Sequence, residues 1–168
     1  MIVVIMGVAG SGKSTVGELL ASELQFRFLD GDSLHPTWNI EKMKHGIPLT
    51  DADRAPWLAA VHSQIVESFQ RGEHLVIPCS ALKQRYRDTL GAGVTITWVY
   101  LKGSYELILE HLQRRQHHFM KPRMLASQFA DLEEPADAIV IEVAVEPAVA
   151  VRQIVSALPA APTKRVAS

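Results

Sequence analysis

Gly7-Val8-Ala9-Gly10-Ser11-Gly12-Lys13-Ser14 is the stretch that decides the fold. It fits the pattern G-x-x-x-x-G-K-[ST] at every fixed position. Glycines let the chain turn with its N–H groups facing inward, because no Cβ blocks the φ angles required. Such donors form an anion nest where a helix begins, and the helix dipole adds to the attraction. Gly7, Gly10, Ser11, Gly12, Lys13, Ser14 and Thr15 are therefore the candidate phosphate contacts. Lys13 is expected to reach the β- and γ-phosphates of a nucleotide, and the Ser14 hydroxyl to ligate Mg²⁺, so ATP and Mg²⁺ are the implied cofactors. Such a motif needs a strand before it and a helix after it. Ile2 to Met6 is a short β-branched run, as expected of a strand buried on both faces. Val16, Leu19, Leu20 and Leu24 follow at helical spacing.

Working outward, Phe26 to Leu29 reads as a second strand ending at Asp30. Residues 31–50 carry little pattern beyond a short helix at Asn39 to Lys44. Thr50-Asp51-Ala52-Asp53 has the form of a capping box. It predicts a helix with the core stripe Trp57, Leu58, Val61, Ile65 and Phe69, ended by Gly72. Leu75 to Ile77 is a third strand, Leu82 to Leu90 a helix closed by Gly91 and Gly93, and Val94 to Leu101 a fourth strand. Ser104 caps a helix to about Arg115. A polar, basic stretch with Pro122 follows, then a short helix over Met124 to Ala130. Ala138 to Val145 is a fifth strand and Pro147 to Leu158 a last helix. Strands alternating with helices predict an α/β fold. The expectation is a three-layer sandwich: a five-stranded parallel sheet, helices on both faces, and a mobile lid over about 114–125. Residues 1–158 read as a single domain, and the Ala- and Pro-rich tail 159–168 is expected to fray.

Bulk properties narrow the function classes. The chain has 168 residues, which suits one domain, and is 48% hydrophobic and 21% charged. Lys plus Arg is 17 against 18 Asp plus Glu, for a formal net charge of -1. That balance gives no reason to expect a nucleic-acid or anionic-membrane partner. Cys79 is the one cysteine, so neither an internal disulfide nor a cysteine-built metal site is expected, which suits a reducing cytoplasm. No apolar stretch approaches the roughly 18 to 20 residues that span a bilayer. The opening Met1 to Met6 lacks a basic region before it and reads as a strand, not a signal peptide.

Phosphate binding alone does not define a reaction. No Asn-Lys-x-Asp segment marks a guanine-specific GTPase, and the chain is short for a helicase or transporter ATPase. It suits a kinase of small molecules. Phe28-Leu29-Asp30-Gly31-Asp32 places two carboxylates at the end of a strand, where parallel sheets bind ligands. One can hold a Mg²⁺-bound water and the other can take the proton of an acceptor hydroxyl. Asp-Gly-Asp is also good turn chemistry on its own. The basic run Arg114 to Arg123 either closes over ATP or is a solvated turn.

Together, four further segments carry a resemblance. They are Phe28 to Pro36, Asn39 to Leu58, Cys79 to Asp88, and His118-Phe119-Met120 continuing to Ser127-Gln128-Phe129. With the glycine loop, they make the chain resemble the gluconokinase family of P-loop kinases, relatives of shikimate kinase, over roughly residues 3 to 135. The resemblance implies transfer of the ATP γ-phosphate to D-gluconate, giving 6-phosphogluconate and ADP (EC 2.7.1.12). It implies Lys13, Asp32 and Arg115 as catalytic groups, Asp32 as base, Arg115 as lid arginine, and Asp30 beside Ser14 at the metal. By similarity to shikimate kinase, Arg54 would pair with the substrate carboxylate, a task that suits a planar guanidinium. An ion pair with Asp51 or Asp53 is the alternative for Arg54. His35, Ser80, Lys83 and Arg87 would shape the sugar-acid pocket, with His118 and Lys121 nearby. His35, standing before Pro36, has turn ordering as its alternative. The family also implies a homodimer. Two other readings stay open at this level: a kinase for a shikimate-like or nucleotide acceptor, and a non-catalytic ATP-binding switch.

Overall fold

In the computed structural model, which describes residues 1–114 and 122–159, the chain is built around β1 (Ile2–Met6). Every residue of β1 is buried, and its side chains part by the period of two expected of a strand. Ile2, Val4 and Met6 enter one apolar cluster; Val3 and Ile5 enter another on the opposite face. The other strands are β2 (Arg27–Phe28), β3 (Leu75–Pro78), β4 (Ile96–Lys102) and β5 (Ile139–Glu142). All pair in parallel in the order β2-β3-β1-β4-β5, the five-stranded sheet expected from sequence. β1 is flanked by β3 and β4 and lies at the centre, so the loop that follows it opens at the middle of the sheet's carboxyl edge.

Helices cover both faces. On one, α3 (Asp51–Gln70) and α4 (Gln84–Leu90) pack Trp57, Leu58, Val61, Ile65, Tyr86 and Leu90 against the sheet. On the other, α1 (Lys13–Leu24) and α7 (Pro147–Ala157) contribute Val16, Leu20, Ala21, Ala150, Val151 and Ile154. A smaller cluster unites Val8 and Leu82 with α5 (Tyr105–Arg114) and α6 (Pro122–Asp131) through Ile108, Leu112 and Leu125. A short α2 (Thr37–Lys44) precedes α3.

Two expected core positions are corrected. Phe69 is 49% exposed, because the inward sequence of α3 runs Val61, Ile65 and then Ser68, which is fully buried. Leu19 is 44% exposed, because α1 turns Val16, Leu20 and Ala21 inward. The second strand is shorter than read. The chain leaves the sheet after Phe28 and enters a 3-10 turn (Gly31–Leu34). Pro78 is tolerated in β3 for the same reason. Cys79 N–H donates to Ile5 on the β1 side, so the nitrogen of Pro78 faces the side where β2 has already ended. Gly31 is required there, since a Cβ on it would come within 2.5 Å of the Pro78 carbonyl oxygen. The lid expected at about 114–125 falls partly on 115–121, and the tail on 160–168; these stretches lie outside the described residues.

Candidate active site

The turn after β1 supplies the anion cradle. Gly12 caps α1 in the left-handed region at φ 90°, a conformation that side chains rarely adopt. Among the described residues, the N–H groups of Gly10, Gly12 and Ser14 are spent on no hydrogen bond. They stand at the positive end of the helix dipole. Lys13 donates to the Val8 carbonyl at 2.9 Å, folding the ammonium over the loop. The Ser11 hydroxyl oxygen is buried without a partner among the described residues. An orphaned polar atom beside unspent amides fits the phosphates of a nucleotide. Ser14 donates its hydroxyl to Asp30 Oδ2 at 3.2 Å, so a hydroxyl and a carboxylate converge that would hold Mg²⁺.

Asp30 has a second task. Its Oδ1 accepts from the Asp32 N–H at 2.9 Å, capping the 3-10 turn and aiming Asp32 at the cradle. By accessible area Asp32 is exposed, because it faces an open cavity; by the protein packed around it, it is nearly enclosed. The packing around the carboxyl governs its desolvation, and the accessible area reflects the face it turns to the cavity. That enclosure raises the Asp32 pKa, Lys13 opposes the rise, and Asp30 adds to it.

The cavity measures about 420 Å³. It brings together Gly10, Gly12, Lys13, Ser14, Thr15, Asp32, His35, Arg54 and Ser80, nine of the residues singled out by sequence. Gly7 lies behind it, donating its N–H to the Ser80 carbonyl at 3.4 Å, and Ser11 faces a second recess of about 360 Å³. That recess also holds His111, Arg114, Glu146 and Pro147.

Arg54 is only 8% exposed and reaches the cavity. Its Nη1 donates to the Tyr86 hydroxyl and to Asp131 Oδ2, both at 3.1 Å, so neither Asp51 nor Asp53 is its partner. Nε and Nη2 bond nothing among the described residues. Lys83 is not on the cavity wall; its ammonium lies 3.3 Å from Asp51 and 3.3 Å from Asp131 Oδ1. Arg87 is a correction too. It is 4% exposed and donates Nη1 to the carbonyls of Ala81 and Leu82 at 2.9 and 3.1 Å. It clamps the loop in which Ala81 takes a positive φ of 43°, and its charge is spent there and not on a ligand. Arg115, His118 and Lys121 lie outside the described residues.

Sequence reasoning missed several contributors. Gln128 of α6 lines the cavity and its Oε1 accepts from the Ala9 N–H at 2.7 Å. Asp131 holds Arg54 and Lys83 from 77 residues beyond Arg54. Trp57, read as core, is also cavity wall, and Tyr86 is an arginine partner as well as core. Fixed spacing within one segment cannot reveal contacts of this range. Cys79 is fully buried, which pushes its thiol up, and it takes no part.

A family model described as an AAA domain matches residues 2–135. The gluconokinase of Gluconobacter oxydans is 49% identical over 135 residues, covering 80% of this chain and 76% of that one. The chain belongs to the gluconokinase family. The thermoresistant gluconokinase of Escherichia coli K12 is 45% identical to this gluconokinase-family chain over 147 residues, covering 84% of each. A solved gluconokinase from Sinorhizobium meliloti superposes on it with a TM-score of 0.83 at 42% identity, covering 92% of this chain and 89% of that one. Among the described residues, no helix is long and apolar enough to cross a membrane.

Proposed function

We propose that this chain is a gluconokinase, moving the γ-phosphoryl group of ATP to the 6-hydroxyl of D-gluconate. One observation carries the reading: a single cavity holds a phosphate cradle, an enclosed carboxylate and a half-free guanidinium. A hexonate has the matching order of groups, with a hydroxyl to be phosphorylated at one end and a carboxylate at the other.

In this reading Lys13 and the amides of the loop hold the β- and γ-phosphates in line with the acceptor. Asp32 accepts the hydrogen of the attacking hydroxyl as the oxygen–phosphorus bond forms and the bond to ADP breaks. Its raised pKa makes it a stronger base than an ordinary aspartate. Arg54 binds the carboxylate through its unengaged edge, kept in place by Tyr86 and Asp131 at the other. Mg²⁺, held by Ser14 and Asp30, would neutralise charge on the phosphates. Arg115, His118 and Lys121 belong to the proposal through the family resemblance, as do a cytoplasmic address and a homodimer.

ADP release tests it, run with Mg-ATP and gluconate, shikimate, AMP or no acceptor. Turnover with gluconate alone is expected. Asp32→Asn should lower kcat about 100- to 10,000-fold with ATP binding kept, and Arg54→Ala should raise the gluconate KM far more than the ATP KM. Turnover with shikimate or AMP instead would discard the substrate; ATP binding without acceptor-dependent turnover would favour a nucleotide switch.

A further inference from the structure

Asn39 on α2 is completely buried. Its Nδ2 lies 2.8 Å from the Asp53 carbonyl oxygen and 3.2 Å from Nδ1 of His35. A main-chain carbonyl can only accept, so the carboxamide must present its NH₂ group to α3. One proton of that group serves Asp53. The other points at His35, whose Nδ1 must then accept. A neutral imidazole that accepts at Nδ1 carries its proton on Nε2. The price is visible: Asn39 Oδ1 is buried with no partner among the described residues, and turning the amide over would set it against the Asp53 carbonyl.

The ring is fixed in other respects. It stacks on Trp57 with centroids 4.3 Å apart and planes 13° apart. His35 lines the main cavity while Asn39 does not, so the Nε2 edge is the one presented to a ligand. Nε2 has no hydrogen-bond partner among the described residues. Burial, and then the nearby Arg54, lower the His35 pKa to about 4, which keeps the ring neutral.

We propose that Asn39 is a positioning residue that fixes His35 as its Nε2–H tautomer, making that side chain a one-way hydrogen-bond donor to an oxygen of the sugar acid. The nature of the ligand rests on the gluconate reading above; the tautomer does not. Asp32 then offers the cavity an acceptor, His35 a neutral donor and Arg54 a cation. A ligand oxygen facing His35 is recognised by its lone pairs, and a ligand group able only to donate is rejected there.

Long-range ¹H–¹⁵N correlation of the histidine rings at neutral pH, with and without gluconate, tests both halves. Nε2 protonated, Nδ1 bare, and an Nε2–H resonance that moves on adding gluconate are expected. A proton on Nδ1, or a resonance indifferent to gluconate in a protein that turns gluconate over, would overturn the proposal. Asn39→Asp places only acceptors opposite Nδ1 and should draw the proton there. The gluconate KM should then rise about tenfold with the ATP KM unchanged; an unchanged gluconate KM, or equal rises in both, would refute the positioning role. Should that variant fail to fold, the spectra of the unaltered protein still decide. A bare Nδ1 in a protein with no gluconate turnover would remove the substrate and leave the tautomer standing.

Discussion

Arg54 shows what a residue's neighbours add to its identity. Its place beside Asp51 and Asp53 made a helix-surface ion pair a fair alternative, and the fold replaces both with Tyr86 and Asp131. The Tyr86 hydroxyl accepts from Arg54 and donates to Asp51, which also meets Arg85, so one phenol oxygen links the guanidinium to an acidic anchor. Tyr86→Phe keeps the ring in the core and deletes that link. The gluconate KM is expected to rise about three- to tenfold, the worth of one ordinary hydrogen bond, with kcat and the ATP KM little changed. Steady-state kinetics with each substrate varied in turn checks it; a loss confined to kcat would contradict the role. Lys13, Ser14, Asp30 and Asp32 could be singled out in the sequence because each lies in a short local pattern, the glycine loop or the end of a strand, although Ser14 and Asp30 meet across 16 residues. Lys83 and Arg87 were implied as pocket cations by the family resemblance. Whether such a charge faces a ligand, a carboxylate or a pair of carbonyls is fixed by the chain folding back, which spacing does not record.

Element boundaries were read well where a local signal ends them. The capping box at Thr50 is formed as expected: Thr50 Oγ1 accepts from the Asp53 N–H, and Asp53 accepts from the Thr50 N–H. Lys42 of α2 adds an ammonium 2.9 Å from both Asp53 oxygens, tying the two helices. That contact first, and the Thr50 amide second, hold the Asp53 pKa at about 2 against an ordinary 3.8. A depressed carboxyl pKa adds stability that is fully present above the ordinary value and lost as pH falls through the folded one. Thermal unfolding from pH 6 down to 2 should therefore show a falling midpoint, steepest below about pH 4. Asp53→Asn should lower the midpoint at pH 6 and flatten that acid limb. An unaltered limb would assign the acid lability to other carboxylates. β2 was over-read because its apolar run continues past Phe28; what stops it is the approach of Gly31 to the Pro78 carbonyl, a tertiary contact.

At the scale of the molecule, the sheet and the site draw on different apolar clusters. Two clusters bind helices to the sheet faces, and alternating β-branched runs made both legible. The third joins Val8 of the phosphate loop and Leu82 to α5 and α6, and no periodicity in one segment announces it. Its consequence is functional. α6 carries Gln128, bonded to the Ala9 amide, and Asp131, bonded to Arg54, so the packing of Leu125 sets how firmly one helix meets both halves of the site. Leu125 and Ile65 are both fully buried, and truncating either to alanine should cost about 2–5 kcal/mol. The two losses should differ in kind. Ile65→Ala weakens the packing of α3 on the sheet and should lower the melting temperature while the folded enzyme keeps both KM values. Leu125→Ala should raise the KM for ATP and for gluconate together, and hydrogen exchange should quicken in α6 while the amides of β1 and β3 stay protected. Normal KM values in Leu125→Ala at a temperature where it is folded would mean that α6 is held in place by its polar contacts and not by the apolar cluster beneath it.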